Sequence, residues 1–204
     1  MKKIITLYSL KGGSGKSTIA ILTALYLHDK GYKVALLDSN TEQNTTADFI
    51  EQTGIAIPCF KISKNLERAD LDALNVDFII IDGSPSTSDY MRKILMLSDF
   101  VIVPQKPAQF DLASTTQNNS LTLLADLQKE HKNIGVVINL ATQYHAKKVT
   151  ELKEQLALLR LPYHGKLSYR LCFELDYENP YRWKKNSQAY NEIGYLVDTM
   201  LESV

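Results

Sequence analysis

The chain has 204 residues, of which 45% are hydrophobic and 23% are charged. These proportions exclude a disordered, collagen-like or coiled-coil protein, and the length predicts one domain spanning residues 1–204. Lysine and arginine together number 23, as do aspartate and glutamate, so a uniformly basic nucleic-acid-binding protein is excluded, although a local basic patch is not. The two cysteines, Cys59 and Cys172, form no CxxC pair and predict neither a disulfide framework nor a zinc site.

Short apolar runs alternate with helical patterns along the chain. The runs predict strands at residues 4–8, 33–38, 78–82, 100–104 and 134–140, and the helical patterns cover residues 18–30, 65–74, 87–97, 112–131, 146–159 and 187–202. Because the strands are apolar on both faces, they predict a mostly parallel sheet with helices on both faces. The alternation indicates a three-layer α/β fold, with ligands at the carboxyl ends of the strands. Residues 168–185 show no regular pattern.

A glycine-rich segment separates the first predicted strand from the first helix. It reads Leu-Lys-Gly-Gly-Ser-Gly-Lys-Ser-Thr from Leu10 to Thr18. In this context the backbone N–H groups and the helix N-terminus bind phosphate oxygens, the lysine reaches the β- and γ-phosphates, and the serine hydroxyl binds Mg²⁺. Together with the alternating strands and helices, this segment predicts a P-loop NTPase fold that binds ATP or GTP with Mg²⁺. The predicted nucleotide contacts are Gly12, Gly13, Ser14, Gly15, Lys16, Ser17 and Thr18.

Two acidic residues end predicted strands and complete such a site. Asp82 closes the run of residues 78–82, and Asp38 closes the run of residues 33–38. A phosphate-binding loop needs acids at this edge of the sheet to hold Mg²⁺ and to order the attacking water. We therefore predict Ser17, Asp38 and Asp82 as the metal-binding residues.

The glycine-rich segment departs from the usual G-x-x-x-x-G-K-[ST] pattern, because Leu10 replaces the first glycine and Lys11 is an added lysine. In this form, K-G-G-x-G-K-[ST], it resembles the deviant Walker A ATPases of the ParA/MinD family. The resemblance implies an ATP-dependent homodimer in which Lys11 reaches the partner's phosphates. The P-loop lies close to Met1, which matches the short partition type without an N-terminal helix-turn-helix region.

The family resemblance also covers the segments that follow the two acids. Asp82 looks like the Walker B acid, and Asp38 looks like the first acid of the switch I motif D-x-D-P-Q. Asn40 stands where the second aspartate is expected. We therefore predict Lys11, Lys16, Asp38, Asn40 and Asp82 as catalytic residues, with ATP binding retained and hydrolysis slow because an amide accepts no proton. Glu42 or Asp38 itself is an alternative source of the missing base.

Two further positions match the family through the strands that precede them. Asn139 ends the strand of residues 134–140, where relatives place an asparagine that contacts adenine, although a turn residue is the alternative. Pro104 begins the Pro-Gln-Lys-Pro segment that resembles a loop beside the nucleotide. Asp111 would then face the partner subunit, and a surface loop is the competing interpretation.

The resemblance implies non-specific DNA and a small centromere-type adaptor protein as partners. The predicted DNA-binding residues are Arg170, Arg182, Lys184 and Lys185, and Trp183 lies between the last three. A solvated charge cluster is the alternative. No basic amphipathic helix ends the sequence and no apolar run reaches the length of a membrane span, so we predict no membrane partner and a cytoplasmic, nucleoid-associated location.

Three functions are compatible with these motifs. The first is a partition ATPase whose ATP-bound dimer binds DNA and is released when the adaptor stimulates hydrolysis, which segregates a plasmid or chromosome region. The second is a P-loop kinase or ligase that acts on a small molecule. The third, motivated by Asn40, is a slowly hydrolysing ATP sensor that positions a protein cargo. DNA binding separates the first function from the second, and single-turnover hydrolysis separates the first from the third.

Overall fold

Seven parallel strands form the centre of the protein in a computed structural model. The structure describes residues 2–10, 12–40, 45–62, 65–107, 127–129, 133–158 and 160–203. The strands are β1 (Lys3–Leu7), β2 (Val34–Asp38), β3 (Cys59–Lys61), β4 (Phe78–Asp82), β5 (Phe100–Gln105), β6 (Asn133–Ala141) and β7 (Tyr163–Ser168). They pair in the order β3-β2-β4-β1-β5-β6-β7, and every pair is parallel. The predicted α/β fold with a mostly parallel sheet is confirmed.

Helices cover both faces of this sheet, as predicted. They are α1 (Lys16–Asp29), α2 (Thr45–Thr53), α3 (Arg68–Ala73), α4 (Asp89–Leu97), α5 (Ala146–Leu158) and α6 (Ser187–Glu202). Of the predicted helix over residues 112–131, only residues 127–129 lie within the described part of the chain, and they are helical. No helix of the described residues is long and apolar enough to cross a membrane.

Two apolar clusters fill the space between the sheet and its helices. One joins α1 and α6 to the sheet, and nine consecutive residues of α1, from Ile19 to Leu27, are buried. The other packs α4 and α5 against the opposite face. Because α1 is apolar around its circumference, it is enclosed between the sheet and its neighbouring helices. This burial fixes the N-terminus of α1 at the carboxyl edge of the sheet.

Three elements were missed by the sequence analysis, namely α2, β3 and β7. β3 is a three-residue edge strand whose Phe60 is exposed, so it lacks the apolar run that marks a buried strand. β7 lies at the other edge, and its burial alternates along the strand. Edge strands with one open face carry a weaker sequence signal than central strands.

Candidate nucleotide-binding site

The glycine-rich loop follows β1 and opens α1, which places it at the carboxyl edge of the sheet. Gly15 caps α1 with a left-handed backbone, at φ +93°. A Cβ at this position would lie 2.2 Å from Nδ2 of Asn139, so only glycine fits there. The Asn139 side chain donates to the carbonyl oxygen of Ser14 over 2.8 Å and is itself buried. Asn139 therefore holds the loop from β6, and its contact with adenine stays a prediction.

Lys16 is the first residue of α1 and lies close to Asp82. Burial lowers the pKa of the Lys16 ammonium, and the negative charge of Asp82 opposes this shift. A desolvated ammonium at a helix N-terminus gains most from a new anionic partner, because the surroundings provide little competing water. The arrangement is the one that a phosphate-binding lysine requires.

Asp82 ends β4 beneath the loop and is almost fully buried. One of its carboxylate oxygens, Oδ2, accepts a hydrogen bond from the Thr46 hydroxyl over 2.6 Å, whereas Oδ1 has no hydrogen-bond partner among the described residues. Burial raises the pKa of Asp82, and the hydroxyls of Ser17 and Thr46 counter that shift. A buried carboxylate oxygen without a partner is costly, so a ligand or a bound cation at Oδ1 is favourable.

Asp38 lies beside Asp82, because β2 and β4 pair in register at these two residues. Its Oδ2 accepts from the backbone N–H groups of Thr46 and Ala47, each over 3.1 Å, and its Oδ1 accepts from the backbone N–H of Asn40 over 2.9 Å. Both oxygens of Asp38 thus hold the first turn of α2 and the start of the switch I segment. The role of Asp38 as a metal-binding residue stays a prediction.

Two polar residues of this edge were not identified from the sequence. The Ser39 hydroxyl donates to the carbonyl oxygen of Asp82 over 2.8 Å and accepts from the backbone N–H of Ser84 over 2.8 Å. Thr46 is fully buried and contacts both acids, through its N–H and its hydroxyl. The available signal was their position after the strand that ends at Asp38. Together they link the segment that follows Asp38 to the segment that follows Asp82.

A cavity of about 270 Å³ lies beside the glycine-rich loop. Its lining is mostly apolar and comes from the loop, the start of α1, the ends of β6 and β7, and the segment after β7. The lining includes Gly15, Leu22, Leu140, Leu167, Tyr169 and Phe173. A largely apolar cavity next to phosphate-binding backbone has the character of a nucleobase site. The aromatic residues after β7 were visible in the sequence, but their proximity to the loop was not.

Several predicted site residues lie outside the described part of the chain or differ from their predicted position. Lys11, Glu42 and Asp111 lie outside the described residues, and their proposed roles stay predictions. Pro104 is buried within β5, paired with Val137 of β6. The residue of that segment that reaches the loop is Lys106, whose ammonium lies near Gly13.

The predicted DNA-binding cations belong to one stretch, residues 170–185, which we call the basic segment. Arg170 pairs with Glu192 over 2.9 Å and also lines the cavity. Arg182 pairs with Asp176 over 3.0 Å, and Lys184 pairs with Asp29 over 2.6 Å. Three of the four cations therefore have internal partners. Lys185 is exposed and has no such partner among the described residues.

Trp183, in the middle of the basic segment, belongs to the core. Its side chain is 1% exposed, and its ring stacks on Tyr190 of α6 with centroids 5.2 Å apart. It is therefore not placed to stack on a nucleic-acid base. Arg170 connects the basic segment to Glu192 of α6, and Lys184 connects it to Asp29 of α1.

The residues at the loop fit Mg²⁺ and a nucleoside triphosphate. Mg²⁺ is usually held by one or two carboxylates together with substrate phosphates and water, and the free Oδ1 of Asp82 beside Ser17 fits that donor set. The Ser14 hydroxyl is also buried without a hydrogen-bond partner among the described residues. When bound, the metal would supply positive charge to the phosphates, while Lys16 would bind and orient them.

Comparisons with known proteins agree with this geometry. Residues 5–179 match the family described as CobQ/CobB/MinD/ParA nucleotide binding domain. Protein ParA of Rhizobium radiobacter is 27% identical over 130 residues, which cover 60% of this chain and 56% of that protein. Maintenance of carboxysome distribution protein A of Halothiobacillus neapolitanus is 25% identical over 138 residues, which cover 64% and 63%. The chain thus spans less than two thirds of the length of these relatives.

A solved structure provides a comparison over the whole chain. The plasmid partition protein of Borrelia burgdorferi B31, crystallised with AMPPNP, is 25% identical, has a TM-score of 0.73, and is covered over 99% of its length by 100% of this chain. The chain belongs to the CobQ/CobB/MinD/ParA nucleotide binding domain family.

Proposed function

We propose that the protein is a partition or positioning ATPase that binds ATP as a homodimer, holds non-specific DNA in that state, and releases it when an adaptor protein stimulates hydrolysis. The observation that carries the proposal is the cluster of Lys16, Ser17 and Asp82 beneath the glycine-rich loop. There a desolvated ammonium lies close to a carboxylate oxygen that has no hydrogen-bond partner among the described residues. Mg²⁺ and a triphosphate would compensate both charges. The plasmid partition protein of Borrelia burgdorferi B31, bound to the ATP analogue AMPPNP, supports ATP as the nucleotide.

In the proposed cycle the residues of the site have separate tasks. Lys16 binds and orients the phosphates, and Ser17 and Asp82 hold Mg²⁺. Asp38 and Thr46 connect the metal site to α2, so a change at the phosphates is transmitted to the switch I segment. Lys11 would reach the partner's phosphates across the dimer, as the family resemblance implies. Asn40 would orient water without accepting its proton, and hydrolysis would therefore be slow.

The location of the DNA surface is the most specific part of this proposal. Because Arg170, Arg182 and Lys184 have internal partners, Lys185 is the one cation of the basic segment that we expect to contact phosphates in a monomer. Two copies in a dimer would double this contribution. A non-specific contact of this kind is electrostatic and weakens as salt is raised.

The test is binding to a fluorescein-labelled DNA duplex of arbitrary sequence, followed by anisotropy at a fixed low salt concentration. It is measured with Mg²⁺-ATP, with Mg²⁺-ADP and without nucleotide. We expect binding only with ATP, and weaker binding for Lys185→Ala. Lys33→Ala, which changes an exposed lysine at the amino edge of the sheet, is the matched control. Binding that ignores the nucleotide would contradict an ATP-gated dimer.

Two alternatives predict different outcomes in the same experiment. A kinase or ligase for a small molecule would bind ATP but no DNA in any nucleotide state. An ATP-dependent switch for a protein cargo would also bind no DNA, yet would dimerise with ATP. The carboxysome-distribution relative favours keeping the second alternative. Size-exclusion chromatography with ATP and with ADP separates these two outcomes.

A further inference from the structure

The residue after β5 lies level with the residue that holds the glycine-rich loop. β5 and β6 pair in register up to Gln105 and Ile138. Lys106 follows Gln105 and Asn139 follows Ile138, so both residues stand at the same height on the carboxyl edge of the sheet. Asn139 contacts the carbonyl oxygen of Ser14. The topology therefore brings Lys106 to the loop without any contribution from a second subunit.

The Lys106 ammonium lies directly against the backbone of the loop. Its Nζ is 3.5 Å from the point that a Cβ of Gly13 would occupy. Gly13 has φ +67° and is exposed, whereas Lys106 is half-buried. A Cβ on Gly13 would make only an ordinary van der Waals contact with this ammonium, so the ammonium lies within reach of the backbone that is expected to hold phosphate oxygens.

Lys106 also differs from other lysines in its electrostatic surroundings. Lys61, Lys93 and Lys184 each pair with a carboxylate of the chain. Within the described residues, Lys106 forms no ion pair and no hydrogen bond. It is a cation placed at an anion-binding loop without a counter-charge from the described part of the protein. Such a charge is best compensated by the anion that the loop binds.

We propose that Lys106 binds the phosphates of the nucleotide from the same protomer as the glycine-rich loop. This inference rests on the proposed ATP-binding function and adds a phosphate contact to it. The ammonium is a compact charge on a flexible stem, which suits a phosphate oxygen. Pro104 and Pro107 flank the segment and are both buried, so its backbone is restrained and the lysine is presented at a low entropic cost.

The experiment measures binding of the fluorescent nucleotides mant-ATP and mant-ADP with Mg²⁺, and displacement of mant-ATP by inorganic tripolyphosphate. The variants are Lys106→Met, Lys106→Arg and the control Lys33→Met. We expect Lys106→Met to weaken mant-ATP binding about tenfold, as for the loss of one charge-assisted hydrogen bond. The affinity for tripolyphosphate should fall in parallel, and Lys106→Arg should keep most of both affinities.

The remaining outcomes overturn the inference in distinguishable ways. If wild-type protein binds mant-ATP and Lys106→Met binds it equally well, Lys106 has no phosphate contact and the proposed function stands. If the Met and Arg variants lose equal affinity, or if both melt at a lower temperature than Lys33→Met, Lys106 packs against Gly13 as a spacer. If wild-type protein binds neither mant-ATP nor tripolyphosphate, the proposed function fails and this inference falls with it.

Discussion

The carboxyl edge of the sheet and the basic segment both contain several charged residues, but they differ in whether those charges have partners within the chain. At the carboxyl edge, Lys16 is desolvated, Asp82 keeps an oxygen without a partner, and Lys106 has no ion pair among the described residues. In the basic segment, Arg182 and Lys184 are matched with carboxylates of the same chain. The first region is incomplete without a ligand, whereas the second is largely satisfied by the fold.

This difference separates charges that serve binding from charges that serve stability. A matched charge at the surface contributes little and needs no ligand. An uncompensated buried charge costs free energy in the unliganded protein and gives it back when an oppositely charged ligand binds. The carboxyl edge therefore carries the stronger functional evidence, although the basic segment has more cations. Removing charges from each region tests this distinction.

The largest effect is expected for Lys16→Met. Loss of a desolvated ammonium at the phosphate site should weaken Mg²⁺-ATP binding by about 100-fold, since a charged hydrogen bond contributes up to about 3 kcal/mol. Because burial lowers the pKa of Lys16, its charge is unfavourable in the empty site. The variant should therefore unfold at an equal or higher temperature without nucleotide. Binding is measured with mant-ATP, and a lower melting temperature would show that Lys16 mainly supports the fold.

Thr46→Val should produce the largest loss of stability. The substitution keeps the shape of the side chain but removes the hydrogen bond to Oδ2 of the buried Asp82. Leaving that oxygen unsatisfied should lower the free energy of unfolding by about 2 kcal/mol, measured by urea denaturation without nucleotide. Thr53→Val is the matched control in α2, because the Thr53 hydroxyl bonds only to carbonyl oxygens of its own helix. Equal losses in both variants would show that the hydrogen bond between Thr46 and Asp82 does not specifically stabilise the contact between α2 and the sheet.

Asn40→Asp should change turnover more modestly. The backbone N–H of Asn40 donates a hydrogen bond to Oδ1 of Asp38. This bond does not involve the Asn40 side chain, so we expect it to survive the substitution. A carboxylate at this position adds a proton acceptor, so we expect the rate of single-turnover ATP hydrolysis to rise several-fold. This rise is smaller than the factor of about 100 at the low end of the usual range for general-base catalysis. Asn40→Ala serves as the control without either group. An unchanged or slower rate in Asn40→Asp would exclude residue 40 as the missing base.

The central fold was predictable because its signals are local. Five strands, the glycine-rich loop and the helix of residues 187–202 follow from short apolar runs and fixed spacings. The parallel pairing then follows from the apolar character of both strand faces. α2 and the edge strands β3 and β7 escaped because half-exposed elements depend on tertiary packing more than on their own composition.

The site was predictable only where one segment contains the chemistry. Lys16, Ser17 and Asp82 were identified from motifs. Thr46 and Lys106 instead reach the site because of how the strands pair and how the chain runs after β2 and β5, which the sequence alone does not show. The basic segment contains another contact that the sequence does not reveal. Asp29 lies 155 residues from Lys184, so the composition of residues 170–185 does not show that Lys184 is paired.

The smallest effect, in Lys184→Met, tests whether that pairing serves the fold. Hydrogen bonds from Lys184 and Tyr190 lower the pKa of Asp29. A carboxylate with a lowered pKa in the folded state stabilises the protein above its ordinary pKa, and this stability is lost as pH falls through the lowered value. Lys184→Met should therefore reduce the free energy of unfolding at neutral pH by no more than about 1 kcal/mol, as for a surface ion pair, and the difference from wild type should shrink under acid.

Lys185→Met completes the comparison as the matched neighbour of Lys184→Met. Lys185 is exposed and has no ion pair among the described residues, so its removal should leave urea denaturation unchanged at every pH. If the two variants lose DNA affinity equally, the Lys184–Asp29 pair must open on binding, and Lys184 then contacts DNA as Lys185 does. If only Lys185→Met loses affinity, the internal pairs have a structural role. DNA binding by the basic segment then depends on Lys185, the cation of this segment without an ion pair among the described residues.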